Sequence, residues 1–112
     1  MAYLIGIDVG TSSTKAILIN DSGQVIKTVA PEYDFHTPKP LWAESNPLDW
    51  WTATIAAIKS LLDDIDASKI VGLGLTGQMH GLVCLDKDGE VLRPCIMWND
   101  QRTADQCREM TA

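Results

Sequence analysis

Short apolar blocks separated by small or polar residues dominate the first thirty positions. Leu4-Ile5-Gly6-Ile7-Asp8-Val9 predicts a buried strand, and Thr14-Lys15-Ala16-Ile17-Leu18-Ile19 a second one after the small-residue turn Gly10-Thr11-Ser12-Ser13. Asn20-Asp21-Ser22-Gly23 predicts a tight turn, because Asn, Asp and Gly tolerate left-handed backbone angles. Residues 24–30 then return as a third, antiparallel strand. Residues 31–40 hold three prolines without helical or strand period and predict a loop.

The period then changes. Asn46 suits a helix cap, Pro47 a first helical position, and Asp49 complements the positive end of the helix. Trp51, Ile55, Ile58, Leu62 and Ile65 recur at steps of four and three, which predicts one helical face buried against a sheet. Trp50 and Trp51 count as core on this pattern, and the acidic Asp63, Asp64 and Asp66 as a solvated helix end. Ile70-Val71-Gly72-Leu73-Gly74-Leu75-Thr76 predicts another buried strand, Gly77-Gln78-Met79-His80-Gly81 a turn, and residues 82–85 and 90–93 two strands about the turn Asp86-Lys87-Asp88-Gly89. The stretches 18–27 and 84–93 echo each other, which two hairpins sharing one turn chemistry explain more simply than a shared origin. Residues 103–110 read as the start of a helix with no closing Gly or Pro, so the chain reads as cut. Strand, hairpin, strand, helix, strand implies a mixed sheet with a parallel crossover, in an α/β or α+β domain.

Composition narrows the function classes. With 112 residues there is room for one domain, and a net charge of −6 argues against a nucleic-acid partner. No apolar run is long enough for a membrane helix, and the N-terminus lacks the basic region of a secretory signal. Cys84, Cys95 and Cys107 are odd in number and widely spaced, so buried or half-buried thiols in a reducing cytoplasm are expected rather than a disulfide framework or a zinc site.

Asp8 is the first chemical anomaly. A carboxylate in an apolar strand must meet water, a cation or hydrogen-bond donors, since burying it unpaired is costly. The hydroxyl-rich turn Gly10-Thr11-Ser12-Ser13 offers N–H groups, and Lys15 lies just beyond. Carboxylate, turn and cation suit a magnesium-nucleotide site. The turn leads into a strand, so this is not a Walker A loop. From these residues alone, an ordinary strand end and hairpin loop explain the pattern equally well. His80, between two glycines, suits a ligand contact better than His36 in the proline-rich loop.

Three motifs resemble a known family. Residues 6–15 (Gly-Ile-Asp-Val-Gly-Thr-Ser-Ser-Thr-Lys) look like the first phosphate motif of sugar kinases in the actin/hexokinase/Hsp70 superfamily. Gly77-Gln78-Met79-His80-Gly81 is similar to the sugar-contact turn of the xylulokinase branch of the FGGY carbohydrate kinases, and Ile96-Met97-Trp98-Asn99-Asp100-Gln101-Arg102 to the motif that follows. Pro40-Leu41-Trp42-Ala43-Glu44 and Pro47-Leu48-Asp49-Trp50-Trp51 fit the same early segment.

The resemblance implies an α/β ribonuclease-H-like fold, of which residues 1–112 form the N-terminal part of the first, sugar-binding domain. It implies ATP-dependent phosphorylation of a sugar hydroxyl, with D-xylulose the expected sugar and ribulose, gluconate or glycerol as alternatives. By match, Asp8 positions the magnesium of MgATP, while Thr11, Ser12, Ser13 and Lys15 lie near the transferred phosphate. Met79, His80 and Trp98 contact the sugar; Asn99 and Asp100 either join them or hold their loop. The family's catalytic base and adenosine-binding motifs lie downstream, so no residue here is assigned as general base, and these residues alone are expected to be inactive. A cytoplasmic protein, homodimeric as the whole kinase, completes the expectation. A stand-alone binding domain is the non-enzymatic alternative.

Overall fold

The structure, a computed structural model, describes residues 1–112. It divides into two units, one of residues 1–33 and 48–78 and one of residues 34–47 and 79–112.

The first unit is a four-stranded sheet with one helix packed on it. Strands β1 (Tyr3–Val9), β2 (Thr14–Asn20) and β3 (Val25–Val29) form an antiparallel meander, as the blocks predict. The turn into β3 closes on Gly23, whose φ of 79° excludes most side chains, while Asn20 Oδ1 accepts the Ser22 and Gln24 N–H groups at 2.9 Å each.

Helix α1 (Pro47–Leu61) begins at the predicted proline. Strand β5 (Ile70–Gly77) then pairs parallel with β1, giving the order β3-β2-β1-β5 and the expected crossover. Between α1 and β5, residues Ala67–Lys69 form a single 3-10 turn, capped by Asp66 through the Ser68 N–H. The sequence pattern did not show it.

Two expectations about burial are corrected. First, the buried face of α1 is Ala53, Ala57 and Leu61, not the stripe that begins at Trp51. Ile58, Leu62 and Ile65 pack at its edge, Ile55 is half-buried, and Trp51 is 65% exposed, so Trp51 is not core. Alanine brings the helix backbone close to the sheet, where a tryptophan would hold it off.

Second, β1 and β5 are not buried on both faces. Alternation sends Ile5 and Ile7 into the core with Ala16, Leu18, Ala57 and Leu61. The opposite face, with Gly6 and Asp8, is open. On β5, Leu73 and Leu75 stand opposite Ile5 and Ile7 on the core side, yet they are 55% and 71% exposed because α1 does not reach over this edge strand.

The second unit is built from short pairings. Strands β4 (Glu44–Ser45) and β6 (Cys95–Ile96) are antiparallel, and isolated bridges join His36 to Glu44 and Leu82 to Ile96. The expected strands over 82–85 and 90–93 are absent as regular elements; a single bridge, Leu85 to Val91, joins them about the predicted turn. That turn repeats the first one: Asp86 Oδ1 accepts the Asp88 and Glu90 N–H groups at 2.8 and 3.0 Å, and Gly89 has a φ of 80°. The echo in sequence thus extends to the bonding of the two turns. Helix α2 (Ala104–Thr111) follows Thr103.

All three cysteines are free: Cys95 is buried and Cys84 half-buried, but Cys107, expected to be at least half-buried, is exposed on α2.

Candidate functional site

In the first unit the open face of the sheet forms a trough of about 550 Å³. Gly6 and Gly74 stand opposite each other in register and leave its floor bare of side chains, while Asp8, Lys15, Ile17 and Thr76 stand around it. Asp8 and Lys15 are cross-strand partners on this face, both exposed. Strand alternation thus resolves the anomaly of Asp8: it shares a strand with Ile5 and Ile7 but lies on the opposite face.

The Gly10–Ser13 turn begins two residues after Asp8. It closes through the Gly10 N–H on Ser13 O at 2.8 Å, and a Cβ at position 10 would come within 3.0 Å of that oxygen. Thr11 and Ser13 are half-buried and Ser12 is exposed. The Thr11 hydroxyl lies 3.4 Å from Gln78 Oε1, and the Gln78 N–H donates to Val9 O at 2.9 Å. Gln78 Nε2 is buried without a partner. The first unit therefore gathers Asp8, Thr11, Ser12, Ser13 and Lys15 about one end of β1 and β2, and adds Thr76 and Gln78, which were not assigned from sequence.

The donor set of this face suits a magnesium-bound phosphate. One open carboxylate, hydroxyls and an ammonium group are what such a ligand needs, whereas no cluster of three or more metal-ligating side chains exists that would hold a bare metal.

The second unit holds the other candidates. The antiparallel bridge between Leu82 and Ile96, with N–H···O distances of 3.0 and 3.2 Å, runs the segment carrying Met79 and His80 beside the segment carrying Trp98. A Cβ at Gly81 would approach Cys95 Sγ to 3.0 Å, so glycine permits this close passage. Met79 and Trp98 are 72% and 56% exposed, and His80 is exposed with a φ of 65°. That backbone conformation is unfavourable for a side-chain-bearing residue and concentrates at functional turns.

Asn99 is half-buried, its Oδ1 without a partner. Asp100 is engaged in the loop itself. It accepts the Ala43 N–H at 2.7 Å and pairs with Arg102 at 2.7 Å. Arg102 also reaches Glu44 at 3.0 Å and stacks 3.6 Å over the Trp42 ring. Arg93 pairs with the same Glu44 carboxylate. The Arg102 guanidinium beside Asp100 holds its carboxyl down to about 2, helped by the Arg102 and Ala43 N–H groups.

Sequence reasoning named Asp100 but missed its partner Arg102 and the Trp42 ring on which Arg102 stacks. The distance along the chain conceals the Arg102–Trp42 contact, although both residues stand inside the quoted motifs.

This arrangement defines a class. The model of the N-terminal domain of the FGGY family of carbohydrate kinases matches residues 3–112, and the chain belongs to that family. Among characterised relatives, the xylulose kinase of Klebsiella pneumoniae is 47% identical over 104 residues, covering 93% of this chain and 22% of its own length. The ligand-bound xylulose kinase of Lactobacillus acidophilus superposes with a TM-score of 0.93 at 32% identity, covering 99% of this chain and 22% of that one. A gluconate kinase from the same organism superposes with a TM-score of 0.92, also at 32% identity, over 98% and 22%. The chain thus spans about 22% of the length of these relatives, and its fold is that of the N-terminal portion of actin/hexokinase-like sugar kinases.

Proposed function

We propose that residues 1–112 are the N-terminal part of the first domain of an ATP-dependent sugar kinase whose substrate is D-xylulose, converted to D-xylulose 5-phosphate. The observation that carries this reading is the pairing of Asp8 and Lys15 across a glycine-floored trough beside the Gly10–Ser13 turn. Phosphoryl transfer depends on positioning and charge neutralisation more than on covalent chemistry. Asp8 would position the magnesium of MgATP, which would neutralise phosphate charge, and Thr11, Ser12, Ser13 and Lys15 would lie around the transferred phosphate. Met79, His80 and Trp98 hold the sugar, with imidazole on a hydroxyl and the indole and thioether on its apolar face. Asn99 adds an acceptor, and Asp100 keeps the loop in shape. The preference for xylulose follows the Gln-Met-His turn and the similarity to xylulose kinases. The comparably close superposition on a gluconate kinase makes a sibling sugar kinase the second reading.

We place the protein in the cytoplasm. Its three thiols are free, as a reducing compartment keeps them, and no helix is long and apolar enough to cross a membrane.

The test is steady-state kinetics of the longer reading frame carrying these residues, with MgATP and a panel of xylulose, ribulose, gluconate and glycerol. Xylulose is expected to give the highest kcat/KM, and Asp8→Asn to lower kcat by about a hundredfold or more. A preference for gluconate or glycerol sinks the substrate assignment; unchanged turnover in Asp8→Asn sinks the site. Residues 1–112 alone are expected to show no sugar-dependent ATP turnover.

A further inference from the structure

The segment after β3 is pressed against the Gly10–Ser13 turn. Pro31 O accepts the Thr14 N–H at 3.0 Å, Glu32 bridges Ser13, and the Tyr33 N–H donates to Ser12 O at 3.0 Å. The Tyr33 side chain is buried, and its hydroxyl lies 2.5 Å from Gly10 O and 2.9 Å from Ser13 O. One residue thus reaches three of the four carbonyls of the turn: its N–H bonds that of Ser12, and its single hydroxyl proton is shared between those of Gly10 and Ser13. Sequence reasoning gave Tyr33 no role, because it sits in a proline-rich stretch without period.

The direction of these carbonyls matters for an anion. A carbonyl oxygen carries partial negative charge and repels phosphate; a turn receives phosphate only when its oxygens point away and its N–H and hydroxyl groups face the ligand. Such donors are effective in catalysis when they are held in place before the charge arrives.

We propose that Tyr33 is a positioning residue for phosphoryl transfer: its hydroxyl and N–H hold the Gly10, Ser12 and Ser13 carbonyls away from the phosphate, and so fix Thr11, Ser12 and Ser13 as its receivers beside Asp8. This rests on the reading of Gly10–Ser13 as the phosphate turn. Tyr33 remains a donor at neutral pH, since burial, together with the negative charge of Asp8, pushes its phenol up from the ordinary value.

The experiment compares Tyr33→Phe with the unsubstituted protein in the whole kinase carrying these residues, normalised to the folded fraction from thermal unfolding. The expected result is a roughly three- to tenfold fall in kcat, the factor that corresponds to one uncharged hydrogen bond, with the KM for sugar unchanged. Gly10→Ala is the second variant. Its added Cβ meets Ser13 O, an oxygen that Tyr33 also reaches, at 3.0 Å, and it must give the same split between kcat and sugar KM. Unchanged kcat in Tyr33→Phe overturns the proposal, as does a loss in both variants that tracks the unfolded fraction or raises the sugar KM equally. If Tyr33→Phe does not fold, Gly10→Ala decides by the same criterion. Asp8→Asn separates the two levels: if it cripples turnover while Tyr33→Phe and Gly10→Ala do not, the phosphate turn stands and the tyrosine proposal fails. If Asp8→Asn turns over normally, the underlying reading fails as well.

Discussion

Asp100 is a motif residue whose carboxylate is fully engaged within its own loop. Its carboxylate receives the Ala43 N–H and the Arg102 guanidinium, and Arg102 in turn spans Glu44 and Trp42. Because these contacts favour the ionised form, the folded carboxyl titrates near about 2, below the about 3.9 of a free aspartate. The folded state therefore binds fewer protons than the unfolded state in this window. The stabilisation is fully present above about pH 4 and is lost as pH falls through about 2. We predict that Asp100→Asn is less stable than the parent at pH 7 and that the difference shrinks between about pH 4 and pH 2, measured by urea unfolding of each at a series of pH values. The comparison matters because the exposed Asp66, lowered by its bonds to Ser68, titrates in both proteins alike. A stability difference independent of pH would show that the Asp100 charge is not what holds the loop.

At the scale of elements, α1 separates what a pattern can show from what packing selects. Its start was legible, since Pro47 and Asp49 act locally on the first turn. Its buried face was not, because the pattern weights large apolar residues while the helix–sheet contact chooses small ones. Leu61 is 1% exposed beside Leu18 and Ala57, whereas Trp51 faces solvent. Leu61→Ala is expected to cost about 2–4 kcal/mol through lost burial and the cavity left behind. Trp51→Ala should stay within about 0.5 kcal/mol. Equilibrium denaturation of both variants checks the pair; a larger loss from Trp51→Ala would restore the face read from the sequence. Strand positions were similarly legible along β1, β2, β3 and β5, but residues 82–85 and 90–93 were not. Their apolar residues meet only isolated partners, and no sheet extends them into ladders.

For the molecule as a whole, the core layer of the first unit continues beyond its cover. Leu73 and Leu75 extend the row of Ile5 and Ile7 across to β5, and α1 leaves both exposed. β5 is also an edge strand, bonded to β1 on one side. Uncovered apolar surface of this kind binds apolar probes and promotes association. Residues 1–112 alone are therefore expected to enhance ANS fluorescence under native conditions and to self-associate in light scattering. Leu73→Thr with Leu75→Thr should reduce both while circular dichroism is unchanged. A monodisperse parent that leaves ANS dark would mean that this layer is covered in solution.

The sequence by itself determined the turns, the strand blocks, the helix start and the three family motifs, because each depends on a few adjacent residues and their local backbone preferences. The Asn20–Gly23 and Asp86–Gly89 turns are the clearest cases, since side-chain oxygen and glycine act within one turn of chain. Only the tertiary structure decided which face of β1 carries Asp8 into the open, which face of α1 is buried, and which distant residues hold the site. Tyr33 lies 20 to 23 residues from the carbonyls it reaches, and Asp100 lies 57 residues from Ala43. Such contacts form only when the sheet order and the chain crossings bring remote segments together, and no local preference encodes them.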